Sequence, residues 1–144
     1  MANYICKIRT NYFRVKDPDA FRNFMGMVYG AEGNVELWES RDGNGVVQFG
    51  FGADSGIAGL RSGEENDDLD ESSYDAFIEG LQLHVEDDDA VIILEIGSER
   101  LRYVVGSATI ITKQHCEYLS ISDIAKERAA QLLENPQWET VCEY

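Results

Sequence analysis

Val35-Glu36-Leu37-Trp38-Glu39-Ser40, Asp42-Gly43-Asn44-Gly45 and Val46-Val47-Gln48-Phe49-Gly50-Phe51 decide the fold class of this chain. Two runs with β-branched and aromatic residues flank four residues that tolerate positive φ, the signature of a β-hairpin. On either side of it the apolar spacing changes to that of a helix. Upstream, Asp17-Pro18 supplies an N-cap and a first helical residue, and Phe21, Phe24, Met25 and Val28 form one stripe, with Gly30 as the stop. Downstream, Ser72 and Asp75 read as a capping box, and Tyr74, Phe77, Ile78, Leu81 and Val85 form a second stripe that Asp87-Asp88-Asp89 breaks.

Residues 4–16 alternate in the manner of an extended chain, interrupted at Asn11. Residues 52–72 read as a loop, because Gly52, Gly56, Gly59 and Gly63 precede an acidic run from Glu64 to Glu71. Ala90–Ile96 is an apolar strand, Gly97-Ser98 a turn and Leu101–Thr112 a longer strand. Cys116–Ile121 forms a further strand. Ser120 or Ser122 then caps a last helix carrying Ile124, Ala125, Ala129, Leu132 and Leu133, ended by Asn135-Pro136. The order β-α-β-β-α-β followed by β-β-α predicts an α+β fold, with a ferredoxin-like βαββαβ core, a C-terminal ββα extension and a mainly antiparallel sheet. Its length of 144 residues suits a single domain spanning 1–144.

Charge is distributed unevenly. Residues 32–99 hold nineteen Asp and Glu side chains against Arg41 and Arg61, whereas residues 1–31 carry five basic side chains against Asp17 and Asp19. The whole chain has a formal charge of −15. Such a field repels phosphate and attracts basic surfaces, so direct binding to nucleic acid is not expected. The longest apolar run, Ala90–Leu94, is far too short to span a membrane. The first residues lack a signal core, so the expected location is cytoplasmic. Cys6, Cys116 and Cys142 are an odd, widely spaced set, read as reduced thiols rather than a disulfide framework.

Motif by motif, reaction chemistry is not legible, and neither an enzyme nor a cofactor is expected. Gly50-Phe51-Gly52 with Gly56 has the wrong spacing for a phosphate loop and no helix directly after it. Phe49 and Phe51 share a strand face, as base-stacking aromatics do, but the basic footprint of an RNA-binding module is missing. From Asp68 the oxygens partly follow a calcium loop, with Ser73 where glycine is required. His84 and His115 have no metal-ligand spacing.

What remains is the acidity itself. Carboxylates on a rigid surface can imitate duplex phosphates, where charge recurs every ~1.7 Å of axis; the alternative is an accessory or regulatory interaction domain whose charge serves solubility alone. The candidate partner-binding residues are Glu36 and Glu39 on the hairpin, and Glu64, Glu65, Asp67, Asp68, Asp70 and Glu71 in the loop. Asp75 and Glu79 on the second helix and Glu86, Asp87, Asp88 and Asp89 at its end complete the set. The spacing of Asp75, Glu79 and Glu86 predicts one helical face.

Asn11-Tyr12-Phe13-Arg14-Val15-Lys16-Asp17, with Val35–Glu39, Phe49-Gly50-Phe51-Gly52 and the closing Trp138…Cys142-Glu143-Tyr144, resembles a family of small acidic, largely uncharacterised proteins of firmicute mobile elements and phages. The resemblance covers nearly the whole chain and carries no catalytic motif. It implies an inhibitor of host defence, of antirestriction or anti-CRISPR type, acting as a DNA mimic on a basic nucleic-acid-binding protein of the host. The alternative, an interaction domain without mimicry, is expected to form a homo-oligomer by strand pairing.

Overall fold

The computed structural model describes residues 4–60 and 72–141. Its elements are β1 (Ile5–Thr10), α1 (Pro18–Met25), β2 (Val28–Gly30), β3 (Glu36–Arg41), β4 (Val47–Ala53), β5 (Ile57–Leu60), α2 (Ser72–His84), β6 (Val91–Glu99), β7 (Tyr103–Ile111), β8 (Cys116–Ser120) and α3 (Ile121–Leu132). Six strands form one antiparallel sheet in the order β3-β4-β1-β6-β7-β8, and β2 pairs with β5 in a separate ladder. The molecule is therefore α+β.

Local chemistry places the elements. In the hairpin turn, Asp42 Oδ1 accepts the amides of Asn44 and Val46 at 2.8 and 3.0 Å, and Gly45 takes φ +81°, a conformation glycine adopts without a Cβ penalty. Asp17 caps α1 by accepting the amides of Asp19 and Ala20, with Pro18 in the first turn. After β1, the Asn11 side chain continues the ladder to β6. Its Oδ1 accepts the Ile92 amide at 2.7 Å and its Nδ2 donates to the Ala90 carbonyl at 3.0 Å. Phe13 and Phe49 then exchange backbone hydrogen bonds of 2.9 and 2.8 Å.

The core lies between one face of the sheet and the two helices. Ile8, Phe49, Phe51, Val91, Ile93 and Ile111 face Phe21, Phe24, Phe77, Leu81 and Val85. The Phe24 and Phe77 rings stack with centroids 6.1 Å apart, and Phe13 meets Phe21 edge-on at 5.6 Å. Each such pair adds about 0.5–1.5 kcal/mol to the area it buries. Gly80 permits the close approach of α1 and α2, since a Cβ there would lie 2.2 Å from Phe24 Cε1. α3 begins over the opposite face, with Ile121 against Gly106, and none of its residues is buried.

Several boundaries differ from the sequence reading. α1 stops at Met25, capped by Gly26, and Val28 stays buried as part of β2 rather than as a fourth helical contact. Residues 52–72 are not all loop: β4 runs to Ala53, and Ile57–Leu60 forms β5. Each of β2 and β5 is short, and its partner supplies the pairing that periodicity cannot reveal. Gly97-Ser98 is not a turn. β6 continues through it to Glu99, and the chain reverses at Arg100, with φ +49°. The glycine serves a close approach: a Cβ at Gly97 would lie 2.6 Å from the Tyr4 hydroxyl and 2.7 Å from the Ile5 carbonyl. α3 ends at Leu132, before Asn135-Pro136, with Glu134 at φ +54°. The expected Ser72 cap lies outside the described side chains.

Candidate functional site

The acidic residues singled out in the sequence separate into two groups. Glu39, Asp87, Asp88 and Asp89 are bound to cations of the same chain. Glu39 takes both Nε and Nη2 of Arg22, which also holds Asp19, so the hairpin is tied to α1. Arg22 keeps the Glu39 carboxyl below the usual carboxylate range. At the end of α2, Asp87 accepts from Lys16 at 3.2 Å and Lys113 at 3.3 Å, Asp88 pairs with Arg14 at 3.1 Å, and Asp89 pairs with Arg14 at 3.3 Å. Lys16 and Lys113 likewise hold Asp87 below its ordinary range. The three acids are unfavourable to the helix dipole, yet they fasten residues 14–16 and the β7–β8 turn to the end of α2.

Glu36, Asp75, Glu79 and Glu86 form no ion pair among the described residues. Asp75 and Glu79 are exposed one turn apart on α2. Glu86 lies past the end of that helix, since Val85 already bridges to Val15, so the expected three-residue helical face holds only for Asp75 and Glu79. Glu36 lies on the opposite face of the sheet from Glu39, near Trp38, whose ring carries the Arg9 guanidinium 4.9 Å from its centroid. Glu64, Glu65, Asp67, Asp68, Asp70 and Glu71 lie outside the described residues, as does the start of the partial calcium loop, residues 68–71, whereas Ser72 and Ser73 open α2.

A second site was not read from the sequence. On the helix side of the sheet, the inward positions turn from apolar to polar along the strands. In β6, Val91 and Ile93 are followed by Glu95; in β7, Ile111 is followed by Thr109 and Ser107. The register aligns Ile8, Glu95 and Ser107 in one row and Ile93, Thr109 and Tyr118 in the next. Beside the first turn of α2 these rows floor a groove of about 490 Å³, walled by Tyr74 of α2, Gly56-Ile57 and Cys116. Tyr4 Oη donates to Glu95 Oε2 at 2.7 Å. Burial and then the Glu95 bond raise the Tyr4 hydroxyl well above the ordinary phenol range, so it stays a donor. Period-two alternation of Glu95, Ser107 and Thr109 with their neighbours was the available signal, but only strand register shows that they meet.

The thiols and imidazole next to these elements are quiet. Burial, with Glu95 second, raises the Cys6 thiol, and burial raises Cys116. Both are therefore protonated and weakly nucleophilic, and both are free. His84 lies between Phe21 and Phe24, with ring centroids 5.7 and 4.9 Å away, and burial lowers its pKa. A larger hollow of about 730 Å³ under Trp138 is walled by α3, which has no buried residue to fix its shape. Among the described residues no group of three His, Cys, Asp or Glu is placed to hold a metal ion. No described helix is long and apolar enough to cross a membrane. Comparison with protein-family models, curated proteins and solved structures finds no match to this chain in any of the three.

Proposed function

We propose that this chain is a non-enzymatic, acidic binding protein that occupies the nucleic-acid site of a basic host protein, in the manner of a DNA mimic. The observation that carries this reading is the outer face of α2. Asp75 and Glu79 stand exposed at i, i+4 with no ion pair among the described residues, although the chain pairs Glu39, Asp54 and Asp87 elsewhere. A like-charge pair at that spacing costs an isolated helix about 0.2–0.5 kcal/mol, so local folding does not favour it. The acidic run of residues 64–71 leads directly into the same helix. Within this reading Glu39 and Asp87–Asp89 are shared with cations of the same chain, and Glu36, Asp75, Glu79 and Glu86, which form no ion pair among the described residues, are the carboxylates most open to a partner.

The resemblance to small acidic proteins of firmicute mobile elements supports an antirestriction or anti-CRISPR type of target. The strand order β3-β4-β1-β6, with α1 and α2 as the crossover helices on one face, supports reading the core as ferredoxin-like, with the β2–β5 ladder inserted and β7, β8 and α3 appended. The test is competition. The protein should displace labelled duplex DNA from restriction or CRISPR effector proteins at low salt, with the effect falling steeply as salt rises. Asp75→Lys with Glu79→Lys should weaken competition at least tenfold while leaving the fold unchanged. A reversed-charge variant that competes as well as the parent would sink the reading.

One observation favours a second reading. Ile5, Ile96 and Val104 are 68%, 66% and 70% exposed on the sheet face away from the core. Association of copies through that face would bury them, and light scattering at rising protein concentration would detect it.

A further inference from the structure

We infer that the groove over Glu95 binds an organic cation, an ammonium or guanidinium group, held between tyrosine rings and a carboxylate. This does not rest on the acidic face of α2, and it uses none of the same residues.

The carboxylate is unusual in its setting. Glu95 occupies an inward position of a central strand, flanked by Ile8 of β1 and Ser107 of β7, yet it forms no ion pair among the described residues. Its described hydrogen bond is from the neutral Tyr4 hydroxyl to Oε2, which leaves Oε1 as an acceptor. Among the described residues no Lys or Arg lines the groove. An anion entering it would face an uncompensated carboxylate, and a purely apolar ligand would strip water from Glu95, Ser107 and Thr109 without replacing their hydrogen bonds. A cation meets both demands. Tyr74 and Tyr118 line the groove, and tyrosine rings attract ammonium and guanidinium groups. A single carboxylate is too few ligands for a metal ion. The volume of about 490 Å³ falls within the range of small-ligand sites.

The site is also built. Tyr4 reaches Glu95 because Gly97 has no side chain, since a Cβ there would lie 2.6 Å from the Tyr4 hydroxyl. The glycine thus fixes the tyrosine and the tyrosine orients the carboxylate.

Two sources carry this chemistry, a free amine and a Lys or Arg side chain of a protein. The experiment titrates choline, its neutral isostere 3,3-dimethyl-1-butanol, and short Lys and Arg peptides into the intact ¹⁵N-labelled protein at constant ionic strength. Choline or the peptides should shift the amides of Glu95, Ser107 and Thr109 saturably, and the neutral isostere should not. Stronger binding of choline assigns the free amine, and stronger binding of a peptide assigns the protein side chain. Glu95→Gln keeps the shape and the Tyr4 bond, and should weaken binding at least tenfold. Tyr118→Leu, at a residue 65% exposed and outside the buried core, should weaken it several-fold. Equal binding of the neutral isostere, an unchanged Kd in Glu95→Gln, or no saturable shift with any cation overturns the inference.

Discussion

Replacing Asp89 by Ala tests whether the acidic turn is a fastening or a displayed surface. Its Oδ2 accepts the Arg14 amide at 2.9 Å and Arg14 Nε at 3.3 Å, and its Oδ1 accepts the Ala90 amide at 2.8 Å. The side chain is 23% exposed, whereas that of Asp88, on the same guanidinium, is 75% exposed. A hydrogen bond to a charged group contributes about 1.5–3 kcal/mol, and an exposed ion pair about 0.2–1 kcal/mol. Taking the two amide bonds at the lower end, Asp89→Ala should cost about 3 kcal/mol, and Asp88→Ala less than about 1 kcal/mol. In a chain of 144 residues the first value corresponds to a fall of roughly 10 °C in Tm. Urea unfolding followed by tryptophan fluorescence and by circular dichroism measures both variants, and a shift in midpoint at constant slope identifies a stability effect. Equal, small losses in the two variants would refute the argument, because the amide bonds would then contribute nothing beyond the surface pair. The same result would return Asp89 to the displayed acids.

Three other outcomes follow from the geometry. Gly80→Ala should destabilise by about 1–2 kcal/mol by urea unfolding, because overpacking against Phe24 outweighs the gain of about 1 kcal/mol in helix propensity. His84 has a folded pKa below its ordinary value because of burial, which outweighs the opposing effect of Asp17. The unfolded chain therefore binds the proton more readily, and stability should fall as pH drops through about 6.5 toward the lowered value. In His84→Leu that part of the pH slope should vanish from melting curves; an undiminished slope would assign it elsewhere. Glu39, Asp54 and Asp87 have lowered folded pKa values, from Arg22, Lys7, and Lys16 with Lys113. Their contribution should be present above about pH 4 and disappear as pH falls through the folded values, and high salt should shrink it.

Residue order is enough to place the elements whose reasons are local. The Asp42–Gly45 turn, the Asp17-Pro18 start of α1 and the stripe through Phe77, Leu81 and Val85 each rest on φ preferences, capping or a 3.6-residue period within a few residues. It also located the charge, because charge is a property of composition. How that charge is used depends on contacts between residues far apart in the chain. Asp88 and Asp89 meet Arg14 across more than seventy residues of chain, and no spacing rule relates them. For the same reason β2 and β5 were legible only as a helix end and a loop, since each is a strand through its partner alone. Gly97 read as a turn because glycine is permissive, whereas its role is to leave room for Tyr4. The groove over Glu95 was hidden most completely. Four separate strands must first pair in register before Ile8, Glu95, Ser107 and Tyr118 share one face, and register is set by the sheet as a whole.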